Sequence, residues 1–121
     1  MGRRERERVA IPKAELPEGG RTTIVVRRRE IAVFNVDGTV YALFNRCPHQ
    51  QAPLVKGRIA GTSEPVPVGE FSYNPVKSVV RCPWHHYEYD LVNGHCLADP
   101  ERFRIATYEA REEGDEIAVY V

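Results

Sequence analysis

The chain has 121 residues, with 17 basic and 17 acidic side chains, zero formal net charge and 42% hydrophobic residues. That length suits a single domain, and the lack of a global basic field argues against nucleic acid as a partner. No apolar run approaches the length of a membrane span, and the chain is too short for a cofactor-binding module plus a separate catalytic module.

In chain order, Met1-Gly2-Arg3-Arg4-Glu5-Arg6-Glu7-Arg8 is charged and has no apolar segment behind it. It reads as a flexible tail over 1–8, not as a secretory or twin-arginine signal. With three cysteines, an odd number, this points to a reducing, cytoplasmic setting. Strand signals then dominate, and no stretch has a convincing helical period. Thr22 to Val26 is rich in β-branched residues. Ile31 to Phe34 and Val40 to Phe44 are apolar runs joined through Asp37-Gly38, a strong hairpin signal. Arg27-Arg28-Arg29 reads as a solvated hairpin edge. Val79-Val80 leads into a strand end, Tyr87 to Leu91 reads as a strand, and Asn93-Gly94 marks a turn. A last hairpin is expected from Phe103–Tyr108 and Ile117–Val121, turning across Glu112-Glu113-Gly114-Asp115. Many short strands punctuated by Gly and Pro predict an all-β sandwich or barrel.

Two short motifs carry the chemistry: Cys47-Pro48-His49 and Cys82-Pro83-Trp84-His85, each in a loop just after a strand. Together they offer two thiolates and two imidazoles. That donor set fits an iron–sulfur cluster in which two His replace two Cys on one iron. Zinc remains the alternative, although zinc sites usually separate their Cys and His pairs. A Cys/His nucleophile pair would leave the second motif unexplained and has no evident Asp or Asn to orient it.

C-x-H followed by C-x-x-H, within CPHQQAPL and CPWHHYEYD, resembles the Rieske [2Fe–2S] signature, and in particular low-potential ferredoxins and the Rieske domains of aromatic-ring oxygenases. The resemblance covers most of the chain. It implies a Rieske-type domain over 9–121, with a cluster-binding subdomain over about 47–100 inserted in a larger β base. It further implies that Cys47 and Cys82 hold the inner iron of a [2Fe–2S] cluster, and His49 and His85 the outer one. High-potential relatives join the two loops by a disulfide, but here those positions hold Ala52 and Trp84. The Ser whose hydroxyl bonds a bridging sulfide is replaced by Tyr87. Both departures imply a potential near the low end of the Rieske range. Tyr89 stands where a tyrosine hydroxyl can reach a ligand sulfur, or else is an ordinary strand aromatic. His86 replaces a usual Gly and reads as a surface residue or a neighbour of the site. Cys96 reads as a small buried thiol. Gly94 to Pro100 resembles the loop that covers the cluster, with Pro100 as a shield. The 32 residues between His49 and Cys82 exceed the compact ferredoxin spacing, and the excess, around Gly61 to Gly69, reads as an extended surface loop.

An oxygenase needs a further domain binding mononuclear iron through two His and a carboxylate, for which no residues remain. The expected function is therefore a soluble one-electron carrier from a flavin reductase to a terminal oxygenase or similar enzyme, with no substrate site of its own. Two other readings stay open. Leu16-Pro17-Glu18-Gly19 resembles a segment of the small subunit of NADH-dependent nitrite reductase, and a non-redox zinc module would use the same four donors.

Overall fold

The computed structural model describes residues 6–48, 52–61, 78–83 and 87–121. Nine strands make up most of it: β1 (Arg8–Pro12), β2 (Arg21–Val26), β3 (Arg29–Val36), β4 (Thr39–Phe44), β5 (Arg58–Gly61), β6 (Ser78–Arg81), β7 (Glu88–Asp90), β8 (Thr107–Glu113) and β9 (Glu116–Tyr120). The helical content among the described residues is two 3-10 turns, Lys13–Glu15 and Leu54–Lys56. The expected all-β class holds. Six antiparallel strands form one sheet in the order β1-β9-β8-β4-β3-β2, and β5-β6-β7 form a second, three-stranded sheet.

The runs of apolar residues in β3 and β4 have a specific cause. Successive side chains on a strand point to opposite faces, and both faces of these two strands are covered. Ile31, Val33, Val40 and Ala42 pack with Ile11, Leu16, Val26, Ile117 and Val119 in one core. Ala32, Phe34 and Leu43 face the other way, into a core shared with Leu54, Val80, Tyr89, Leu91, Cys47, Cys82 and Cys96. β3 and β4 are thus a common wall between the base and the second sheet. They read as continuous hydrophobic runs because neither face meets water.

Turn chemistry sets the register. Val36 pairs with Thr39 around Asp37-Gly38, both at positive φ (51° and 91°), as a two-residue hairpin of the primed type requires. Arg27 and Arg28 close β2 on β3 with the same signs (φ 52° and 67°), although neither residue favours that region. The expected last hairpin is displaced. β8 begins at Thr107 and runs through Glu112-Glu113, and Glu113 pairs with Glu116, so the turn is only Gly114-Asp115. Alternating exposure along β8 accommodates the charged residues on its outer face. Residues 103–106 instead cross toward the Gly94 loop, where the Ile105 amide donates to the Gly94 carbonyl. Nor is the whole of 1–8 a tail: Arg8 pairs with Tyr120, and Glu7 and Val121 exchange backbone hydrogen bonds.

Leu16 is fully buried, and Asn35, itself buried, donates from Nδ2 to the Leu16 carbonyl at 2.9 Å. Leu16-Pro17-Glu18-Gly19 therefore acts as a core plug tied to β3. The long-loop expectation around residues 61–69 falls almost wholly outside the described residues.

Candidate metal centre

The two motifs sit on loops closed in the same way. In the first, the Cys47 amide donates to the Ala52 carbonyl at 2.9 Å. In the second, the Cys82 amide donates to the Tyr87 carbonyl at 2.7 Å. In each case the cysteine begins a hydrogen-bonded loop that closes five residues later, with the motif histidine inside it. His49, Trp84, His85 and His86 lie outside the described residues. Both thiols are fully buried and unbridged, as is Cys96.

Burial of two polarisable thiols in one core is ordinary for free cysteine. The neighbour of Cys47 is more specific. The Tyr89 hydroxyl lies 3.1 Å from Cys47 Sγ, and its ring is completely buried in β7. Burial first, and then the hydrogen bond to Cys47, hold this phenol well above the ordinary tyrosine range. It stays protonated at any working pH, so toward a thiolate it can only donate. Of the two readings of Tyr89, the geometry supports the hydroxyl that reaches a sulfur.

The loops are held to the base by residues whose roles the sequence did not reveal. Asn45, buried just before the first motif, donates from Nδ2 to Glu30 Oε1 and accepts from the Val55 amide, both at 2.7 Å. Arg21 on β2 reaches across to the carbonyls of Val55 (3.0 Å) and Gly57 and stacks over Phe34. A polar residue directly after a strand is the one signal that could have pointed to Asn45. Gly57 passes so close to β6 that a Cβ there would strike the Arg81 carbonyl.

Behind the second loop, Cys96 bridges to Tyr89 in an isolated pair, and its amide donates to Phe103 O at 3.0 Å. It is buried, as expected. Gly94 adopts φ +76° against the Ile105 carbonyl, where no side chain fits. Pro100 is exposed, and its carbonyl accepts from Arg104 Nε at 2.9 Å.

Two soft, buried, unbridged sulfur donors with a fixed hydroxyl on one of them fit the thiolate half of an iron–sulfur site. The comparisons with known proteins agree. The chain is 27% identical to the ferredoxin component of the naphthalene 1,2-dioxygenase system of Pseudomonas aeruginosa over 110 residues, 91% of this chain and 90% of the relative. It is 31% identical to the 3-phenylpropionate/cinnamic acid dioxygenase ferredoxin subunit of Shigella flexneri, again over 110 residues, 91% and 89% of the two chains. Its fold matches a solved structure described as a candidate NADH-dependent nitrite reductase small subunit from Mycobacterium tuberculosis. The TM-score there is 0.78, at 21% identity over 96% of both chains. The Rieske [2Fe–2S] domain family itself matches residues 7–109. That match spans most of the chain, so the chain belongs to the Rieske [2Fe–2S] domain family and its cofactor is a Rieske-type [2Fe–2S] cluster.

Proposed function

We propose that this protein is the one-electron carrier of an oxygenase system, taking electrons from a flavin-dependent reductase and delivering them to a terminal oxygenase. Cys47 and Cys82 hold one iron, and His49 and His85 the other. The observation that carries this reading is the pair of buried thiols on equivalently closed loops, one of them bonded by the Tyr89 hydroxyl at 3.1 Å. Relatives that are ferredoxin components of dioxygenase systems support the carrier role.

When bound, the cluster supplies a single reversible electron, and two neutral imidazoles in place of two thiolates raise its potential above that of a four-Cys cluster. The chain's own residues do the rest. The core around Leu54, Val80 and Leu91 keeps water from the sulfur atoms. Tyr89 holds a proton at Cys47 Sγ, which favours the more negative, reduced state. Asn45 and Arg21 fix the first loop and its 3-10 turn to the rigid sheet, so little has to move when the charge changes.

The test is anaerobic reconstitution with iron and sulfide, followed by reduction. The expected product is red-brown, with an EPR signal of the low average g that mixed nitrogen and sulfur ligation gives. Alanine at Cys47, His49, Cys82 or His85 should abolish the signal, and Cys96→Ala should keep it. The reverse pattern for Cys96 and Cys47 would overturn the assignment. The nitrite reductase reading retains the fold likeness. It predicts co-elution with a larger reductase subunit and no support of an oxygenase by the iron-loaded protein.

A further inference from the structure

The charged residues that line the cavities beside the two cysteines differ from those along β1, β8 and β9. On β1, β8 and β9 and just beside β1 the cations are paired: Arg6 with Glu109, Arg8 with Glu113 and Glu116, Lys13 with Glu112, and Arg111 with Glu109 and Glu113. The cysteine loops are different. A cavity of about 340 Å³ beside Cys47 and Pro48 has Arg46 and Arg104 in its wall. A second, of about 200 Å³ beside Cys82 and Pro83, has Lys56, Arg58 and Arg81. Every charged residue among the described ones that lines either cavity is a cation, in a chain with equal numbers of each sign.

Arg46, Lys56, Arg58 and Arg104 are exposed and, among the described residues, make no ion pair. Arg104 is held in place by its bond to the Pro100 carbonyl, so less side-chain freedom is lost when it meets an anion. Arg81 lies 3.4 Å from Glu88 through Nη2, but its buried Nε–H has no acceptor among the described residues.

Cations without an ion pair among the described residues thus flank both cysteines, Arg46 and Arg104 beside Cys47 and Lys56 and Arg58 beside Cys82, and they attract negative charge to these loops. From this juxtaposition we infer that the cysteine-loop end is a cationic docking rim for the acidic face of a redox protein, an inference that rests on the carrier reading. Complementary charge of this kind acts on association rate and orientation more than on final affinity. It weakens with salt, because the Debye length shrinks from about 30 Å at 0.01 M to about 3 Å at 1 M.

The test uses the iron-loaded, reduced protein and two one-electron oxidants of opposite charge, hexacyanoferrate(III) and hexaammineruthenium(III). In each reaction one electron leaves the protein and the metal ion of the complex falls from oxidation state +3 to +2, with no proton or ligand transferred. In stopped flow, the hexacyanoferrate rate constant should fall about tenfold as salt is raised across this range, and the ruthenium rate constant should stay level or rise. Two double variants, Arg46→Glu with Arg104→Glu and Lys56→Glu with Arg58→Glu, should each shrink the difference in salt slope. Their EPR signals should be unchanged. Poly-glutamate, standing for an acidic protein surface, should slow the hexacyanoferrate reaction, and poly-lysine should not. Equal salt slopes for the two oxidants, equal slowing by both polymers, or slopes unmoved in both variants would overturn the docking rim and leave the carrier reading standing. A protein with no reducible cluster would overturn both.

Discussion

Replacing Tyr89 by Phe removes one oxygen atom and leaves the ring in its socket. The ring is completely buried, and its hydroxyl makes a 3.1 Å contact with Cys47 Sγ. The phenol cannot ionise in the working range, because burial and that contact both favour the protonated form. With Cys47 as a cluster ligand, it would donate to the sulfur in both redox states, and more strongly in the reduced one, which carries an extra electron. A hydrogen bond to a charged group contributes about 1.5–3 kcal/mol. If about a third of that is the difference between the two states, the reduced form loses roughly 0.5–1 kcal/mol in the variant. For one electron, with about 59 mV per tenfold change in equilibrium constant, the potential should drop by about 20–45 mV. Because Phe fills the same volume, unfolding of the apoprotein should be weakened by no more than about 1 kcal/mol. Protein-film voltammetry on the wild type and the variant measures the potential, and urea titration the stability. A potential that is unchanged, or higher, would show that the hydroxyl has no preference for the reduced state and would assign Tyr89 to packing alone.

Gly94→Ala should be severely destabilising, by about 3 kcal/mol or more, because the new methyl meets the Ile105 carbonyl at a positive φ where neither backbone can yield; a fall of less than 1 kcal/mol in urea denaturation would refute this. Arg28→Gly should stabilise the β2–β3 hairpin by about 1 kcal/mol, since Arg28 stands at φ 67° where glycine carries no Cβ penalty; calorimetry would detect the rise in Tm. Glu113 accepts from Tyr120 at 2.5 Å and from Arg8 and Arg111, which lower its pKa from 4.5 to about 2. A depressed carboxylate stabilises the fold fully above its unfolded pKa, so this contribution should fade as pH falls from about 4.5 toward 2. In Glu113→Gln the acid limb of the stability–pH curve should be shallower over that window, and an unchanged limb would show that the network carries no linkage.

The amino-acid sequence by itself determined the fold class, the donor set of the cofactor and the tight turn at Asp37-Gly38. Asp37-Gly38 announces a hairpin because the required backbone signs are a property of two residues, and a pair of mixed Cys/His motifs announces a cluster because ligand chemistry is local. Even the buried Cys96 was legible from residue type. Tertiary structure decided what depends on distant segments meeting. Arg8–Pro12 is a strand only because β9 lies beside it, and β8 extends through charged residues because its outer face meets water. No spacing rule placed Asn45 and Arg21 at the corner that carries the first loop, since their partners lie on other elements. Tyr89 was ambiguous for the same reason. Whether an aromatic on a strand packs or bonds depends on which atom lies 3.1 Å away, and here that atom is a sulfur 42 positions earlier in the chain. The uneven pairing of cations belongs to the fold as well. In a chain of zero net charge, only folding brings Arg46, Lys56, Arg58 and Arg104 around the two cysteines, since they lie on separate stretches of the sequence.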